Sequence, residues 1–198
     1  MARFLALLLS FFLASGVIAI SPAAADDSEQ CAHTDPSNDV RIAALIAACT
    51  RIIDSGKLKG ATLAATYHHR AVGWFSKGDL DSMIADLDQA IRLDPNDAHQ
   101  YFMRGIALRG KGSYQRSVAD LNQAIRMDPQ SVFYKERGIA LHLSHDYDRA
   151  IRDFDEAIRL DPTDDEIFRY RGDAWHAKGV DDRAIPDYKE ALRLRGGR

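Results

Sequence analysis

Apolar residues recur along the chain at helical spacing, in blocks of 33 or 34 residues that begin near residue 64. In each block an aromatic residue stands four positions before a small residue. The aromatic residues are Tyr67, Tyr101, Tyr134 and Phe168, and the small residues are Ala71, Gly105, Gly138 and Gly172. Because residues four apart share one face of a helix, the pattern predicts that every block begins with a helix packed closely through this face.

A second helix is predicted in each block, after a turn seven residues beyond the small residue. The turn positions are Gly78, Gly112, His145 and Gly179. Apolar residues such as Leu87 and Ala90 then recur at three-residue and four-residue spacing. In the first three blocks an Asp-Pro pair follows, and proline drives the preceding residue out of the helical region. The predicted unit is therefore helix, turn, helix and stop.

These spaced positions resemble the tetratricopeptide repeat over residues 64–195. The resemblance implies an all-α fold, a right-handed α-solenoid of stacked helix-turn-helix units. It divides residues 61–198 into units at about 64–97, 98–130, 131–164 and 165–198. In the first unit Ala71 stands where the other units have glycine, and Met83 stands where the family has a small residue. We therefore expect the two helices of this unit to pack more loosely.

Residues 1–25 have the pattern of a secretory signal peptide. Arg3 precedes an apolar run from Phe4 to Ile20, and small residues lead up to Ala25, where we expect cleavage. An uncleaved membrane anchor is the alternative, although a run of 17 residues is short for a membrane span. We therefore expect an exported protein, periplasmic in a bacterium or secreted, with no stable membrane insertion after cleavage.

The charge balance gives no sign of nucleic-acid binding. Without Arg3, 25 basic and 29 acidic residues remain, a formal charge of −4. Nothing in this balance favours nucleic acid or an anionic membrane surface as a partner.

Residues 26–60 are predicted to form an N-terminal cap. A helix from Asp39 to Asp54, capped by Asn38 or Asp39, looks like the second helix of a degenerate half repeat whose first helix has been lost. In an exported chain Cys31 and Cys49 predict a disulfide, which would close an 18-residue loop and stabilise by about 3 kcal/mol. Two free thiols, or a metal site that includes His33, are the alternatives.

The last unit differs from the others. Pro186 lies inside the predicted final helix, where it should delay or kink that helix. The outer edge of this unit has no further repeat beside it. We expect the edge to be either a frayed end or a surface for self-association.

An arginine seven positions into each unit is followed 16 residues later by an aspartate. The pairs are Arg70 with Asp86, Arg104 with Asp120, Arg137 with Asp153, and Arg171 with Asp187. A row of carboxylate-binding arginines is one interpretation. The strict pairing favours the other, in which each pair bridges two helices of the solenoid.

In the tetratricopeptide family the first helices line a concave groove. The resemblance places in this partner-binding groove His68, Val72, Phe75, His99, Phe102, Ile106, Arg109, Lys135, Ile139, His142, Arg169, Asp173 and His176. The residues change from apolar and aromatic in the first two units to basic and polar in the last two. A peptide with an apolar anchor and a nearby acidic group would suit such a groove.

The function predicted from these features is a non-catalytic scaffold that binds a segment of a partner protein in the cell envelope, without a cofactor. No nucleophile elbow, phosphate-binding loop or dinucleotide motif is present in the sequence. One alternative is a metal-binding protein or small metallo-hydrolase that uses the groove histidines, although no two of them have the i, i+4 spacing of a helical metal site. The other is a structural subunit that self-assembles through its C-terminal edge.

Overall fold

The structure, a computed structural model, describes residues 22–32 and 39–197. Within these ranges it contains ten α-helices and no β-strand. The helices are α1 (Pro22–Ala32), α2 (Asp39–Asp54), α3 (Gly60–Lys77), α4 (Leu80–Leu93), α5 (Ala98–Gly110), α6 (Tyr114–Met127), α7 (Ser131–Leu143), α8 (Tyr147–Leu160), α9 (Asp165–Ala177) and α10 (Asp181–Gly196). Most of the predicted signal segment, and His33, lie outside the described residues.

Helices α3 to α10 form four pairs that stack into a solenoid, as the sequence pattern predicted. Each first helix packs on the second helix of its own pair, and that second helix packs on the first helix of the next pair. Helix α5 also contacts α7, and α7 contacts α9. Among residues 39–197 the second helices make no comparable contact with one another. The first helices therefore lie on the inner, concave side.

The turn inside each pair has a left-handed residue at the predicted position. Gly78, Gly112 and Gly179 have φ of 73°, 74° and 75°, and His145 has φ of 65°. The amide of the next residue then donates to a carbonyl five residues back, as from Asp79 N to Trp74 O at 2.9 Å. This bond satisfies a carbonyl left free at the helix end, so the first helix stops there.

Close packing inside each pair depends on the small residue in its first helix. A Cβ atom added at Gly138 would lie 2.6 Å from Phe154 Cε1, too close for an unstrained contact. In the first unit Ala71 and Met83 are both fully buried. The expectation of looser packing there is wrong, because the flexible Met83 side chain fills the space beside Ala71.

The N-terminal segment contains one helix more than the half-repeat interpretation allowed. Helix α1 packs on α2 and also contacts α3. The Cys31–Cys49 disulfide joins α1 to α2, and both cysteines are buried. The predicted disulfide is therefore confirmed, and α2 has a partner helix where the sequence suggested that none remained.

Pro186 does not delay the last helix, contrary to prediction. Helix α10 begins at Asp181 and continues through Pro186. The proline is exposed, as are Ala85, Ala119 and Arg152 at the same position in the earlier units. The carbonyl of Asp182, which loses its usual helical donor, lies on the solvent side where water can bind it.

Candidate functional site

The predicted groove residues lie on the four first helices, α3, α5, α7 and α9. Within each helix they are three or four residues apart, so they share one face. Because the first helices form the inner side of the solenoid, these residues follow its concave surface from unit to unit.

Exposed apolar groups are present on this surface. Phe75 is 48% exposed, and Val72 on the same helix and Ile106 on α5 are partly buried. Leu143, which the sequence analysis did not include, is 40% exposed at the end of α7. It directly follows His142, and the thirteenth position of the repeat could have identified it. Exposed apolar side chains on a concave face are typical of a binding surface.

Two of the predicted groove residues are core residues instead. Phe102 is 7% exposed and packs with its ring centroid 4.7 Å from that of Phe133, and Ile139 is 5% exposed in the core of the third unit. Each unit packs against the next through these side chains, which leaves little of them for a partner. Phe102 and Ile139 therefore shape the groove without lining its open surface.

A row of ring contacts connects α3 to α7. The ring centroids of His68 and His99 are 5.5 Å apart, and those of His99 and Phe102 are 5.3 Å apart. Phe102 and Phe133 extend the row. Ring contacts thus connect three consecutive units; Phe102 and Phe133 are buried, and His99 is exposed.

Acidic neighbours neutralise the basic end of the groove. Lys135 Nζ lies 2.7 Å from Asp164 Oδ2 and 3.1 Å from Glu166 Oε2. Burial alone would lower the pKa of Lys135, but the hydrogen bonds to these two carboxylates outweigh burial and raise it. A partner's acidic group therefore finds this lysine already paired.

Three further groove residues also have an acidic neighbour. Each has an acidic partner on its own unit or the next. The pairs are Arg109 with Glu136 at 2.9 Å, Arg169 with Asp173 at 3.0 Å, and His176 with Asp181 at 2.6 Å. The basic groove residues Arg109, Lys135 and Arg169 therefore each have a carboxylate beside them.

Two groove histidines favour the neutral form. Burial, together with smaller contributions from the nearby His99 and His69, lowers the pKa of His68 to about 4. Burial also lowers the pKa of His142. Near neutral pH these two rings are uncharged groups, each with one donor and one acceptor nitrogen.

Several polar atoms of the groove are buried without a hydrogen-bond partner among the described residues. They are His68 Nδ1, Arg109 Nε and His142 Nδ1, and Gln100 Oε1 and Glu136 Oε2 are in the same state. A buried polar atom without a partner costs about 1–3 kcal/mol, so such atoms are usually satisfied by a ligand or by water. The groove therefore combines exposed apolar groups with unused hydrogen-bonding capacity.

The predicted arginine and aspartate pairs are present in all four units. Arg104 Nε and Nη2 donate to the two oxygens of Asp120 at 2.7 and 2.8 Å. Arg104 Nη1 also donates to Asp88 of the preceding unit at 2.6 Å. Equivalent third contacts join Arg70 to Thr50, Arg137 to Asn122, and Arg171 to Asp155. The pairs bridge two helices of each unit, as their structural interpretation predicted, and the third contacts also hold each unit to the helix before it.

No group of three or more histidine, cysteine, aspartate or glutamate side chains in residues 26–32 and 39–197 is arranged to hold a metal ion. The helices described here also include none with the length and apolar character needed to cross a bilayer.

Comparison with known proteins identifies the repeats. Residues 131–164 and residues 75–132 each match a family model described as tetratricopeptide repeat. No curated protein sequence matches the chain.

Several solved structures share the fold. MamA from Desulfovibrio magneticus RS-1, from residue 41 to its end, has a TM-score of 0.80 at 14% identity, over 91% of this chain and 99% of that one. A crystal structure of MamA protein has a TM-score of 0.75 at 18% identity, over 88% and 92% of the two chains. Another MamA crystal structure has a TM-score of 0.73 at 20% identity, over 79% and 90%.

At these identities the structural likeness shows the fold alone, and the two sequence matches name the repeat. The sequence matches and the structural likeness both agree with the period of the repeat and with the stacked helix pairs. The chain therefore belongs to the tetratricopeptide repeat family, whose members are scaffolds for protein–protein interaction.

Proposed function

We propose that this scaffold binds an extended segment of a partner protein along the concave surface of α3, α5, α7 and α9. One observation carries the proposal: exposed apolar groups and unpaired buried polar atoms lie together on that surface. Phe75 and Leu143 supply apolar area. His68 Nδ1, Arg109 Nε and His142 Nδ1 supply hydrogen-bonding positions without a partner among the described residues.

The surface indicates what the bound segment should offer. An apolar or aromatic side chain would pack beside Val72, Phe75 and Ile106. The amide and carbonyl groups of an extended main chain would meet the unpaired nitrogen atoms. Because Lys135 and Arg169 already have acidic partners, an acidic side chain contributes less than the sequence suggested.

We also propose that the protein acts after export, in the cell envelope or outside the cell. The signal-like segment at residues 1–25 supports this location. The Cys31–Cys49 disulfide supports it as well, because disulfides persist in oxidising compartments. Cell fractionation, with mass spectrometry of the N-terminus, tests it: export predicts a chain that begins at Asp26.

Site-specific photo-crosslinking in the producing cell tests the groove. A photoreactive residue replaces Leu143 on the concave face or, as a control, the exposed Ala85 on α4. We expect the probe at Leu143 to label one segment of a partner, and the probe at Ala85 not to label it. Adding Phe75→Glu should reduce labelling from position 143 at least tenfold, whereas Ala85→Glu should not.

The proposal is wrong if the two probe positions label the same proteins equally, or if Phe75→Glu leaves labelling unchanged. Circular dichroism of each variant confirms that it retains the helical fold. Phe75 and Ala85 are both exposed, so neither substitution places a charge in the core.

A further inference from the structure

The outer face of α10 carries two strongly exposed apolar side chains. Ile185 is 49% exposed and Leu192 is 67% exposed. They are seven residues apart, so they lie nearly one above the other on a single face of the helix. Among the described residues no helix packs over this face.

The same two repeat positions stack one unit on the next elsewhere in the solenoid. In α6 they are Val118 and Ile125, and in α8 they are Ile151 and Ile158. Val118 and Ile151 are buried, and Ile125 and Ile158 pack against core clusters that include residues of the following unit. Helix α10 thus presents the surface through which these units bury one another.

The charges on α10 are separated between its two ends. Asp181 and Asp182 lie in its first turn, and Arg193 and Arg195 lie in its last. When two such helices pack antiparallel, with Ile185 of each against Leu192 of the other, the acidic end of one lies beside the basic end of the other. The surface is therefore complementary to itself under twofold symmetry.

We propose that two copies of this chain associate through the outer faces of α10, antiparallel about a twofold axis between Ile185 and Leu192. The apolar pair of one copy covers that of the other. Asp182 of each copy lies beside Arg193 of the other, and Asp181 lies beside Arg195.

Contacts within one copy do not prevent this arrangement. Asp181 contacts His176, Arg193 contacts Glu190, and Arg195 contacts Asp165. The side chains of Asp181, Arg193 and Arg195 are each more than half exposed. The contacts of Asp181 and Arg193 lie at the surface and contribute little, whereas Asp165, the partner of Arg195, has a side chain that is only 10% exposed. Pairing with a second copy can add to them or replace them.

The opposite end of the solenoid argues against a head-to-tail chain of copies. Helix α1 covers α2 there, and its outward residues are mainly polar, such as Asp26 and Gln30. An apolar face on α10 therefore has its best match in another α10. The concave groove lies on the first helices and remains open in such a dimer.

Sedimentation velocity of the full purified chain over a range of concentrations tests the dimer, with mass spectrometry to define its N-terminus. We expect a concentration-dependent dimer. Ile185→Glu combined with Leu192→Glu should weaken association at least tenfold. The control is Leu160→Glu on α8, which introduces the same charge at another exposed leucine, 38% exposed, and should leave association unchanged.

A charge exchange tests the antiparallel geometry. Asp182→Arg alone, or Arg193→Asp alone, places like charges opposite each other and should weaken the dimer. The two substitutions in one chain restore opposite charges across the axis and should restore it. The inference is overturned if the wild type is a monomer at every concentration or forms larger oligomers, or if Leu160→Glu weakens association as much as the double glutamate variant. It is also overturned if the chain with both exchanged charges associates no better than either single variant. None of these outcomes depends on whether the groove binds a partner.

Discussion

Single arginine side chains at the seventh position of each unit hold three helices together. Arg104 on α5 donates to Asp120 on α6 and to Asp88 on α4. Asp120 is 8% exposed, so it is nearly removed from water and depends on this partner. The planar guanidinium group suits the arrangement, because its separate N–H groups point at two carboxylates at once.

Arg104→Ala should therefore destabilise the protein by about 3 kcal/mol, since it leaves Asp120 buried and charged without its partner. Urea unfolding followed by circular dichroism measures the change. Arg159→Ala is the control, because its pair with Glu156 is on the surface, and it should have little effect. Equal effects of the two substitutions would show that the arginine row contributes no more than surface pairs.

The partly buried His68 should make the fold sensitive to acid. The ordinary pKa of histidine is near 6.5. In the folded protein the pKa of His68 is about 4, mainly because burial disfavours the charged ring. Between these pH values the unfolded chain binds a proton that the folded chain does not, so stability falls as the pH decreases from 6.5 towards 4.

His68→Leu should remove this part of the acid sensitivity. From pH 7 to pH 4.5 the variant should lose roughly 2 kcal/mol less than the wild type, as measured by urea unfolding. Val72→Leu, on the same helix, changes the packing without removing a titrating group and serves as the control. Parallel losses in wild type and His68→Leu would contradict the account.

At the scale of the helix, the turn within each unit shows both what the repeat requires and where this chain departs from it. The first, second and fourth units have a glycine in the left-handed conformation at this turn. The third unit has His145 there, with φ of 65°. A side chain at this φ brings Cβ close to the backbone, which glycine avoids.

His145→Gly should therefore stabilise the protein by about 1 kcal/mol. The reverse change at an equivalent turn, Gly112→Ala, should destabilise it by a similar amount. Thermal unfolding of both variants checks the pair. A decrease in stability for His145→Gly would mean that the contact of its ring with Tyr147 outweighs the backbone strain.

The period of the sequence predicted the helices of the four units because each unit repeats the same buried positions. It did not predict α1, which is 11 residues long, begins inside the signal-like segment and has no partner in the repeat pattern. The burial of Phe102 and the pairing of Lys135 were also missed. Their partners, Phe133, Asp164 and Glu166, are variable positions whose side chains the repeat does not specify.

At the scale of the whole molecule, the solenoid separates two surfaces. The first helices present a concave groove with unpaired polar atoms and exposed apolar groups, on which the proposed partner segment binds. The outer face of α10 is a second apolar surface, at the end of the stack. Because the two lie on different helices, a change in one should leave the other intact.

The affinity of a short peptide for the groove tests the central claim most directly. Twelve-residue peptides are selected against the full chain from a displayed library, and their binding to wild type, Phe75→Glu and Ala85→Glu is measured by fluorescence anisotropy. Since a buried Phe contact contributes about 1.5–3 kcal/mol, Phe75→Glu should weaken binding at least tenfold and Ala85→Glu should not. Selected peptides that bind all three proteins equally, or a library that yields no binder, would contradict the account.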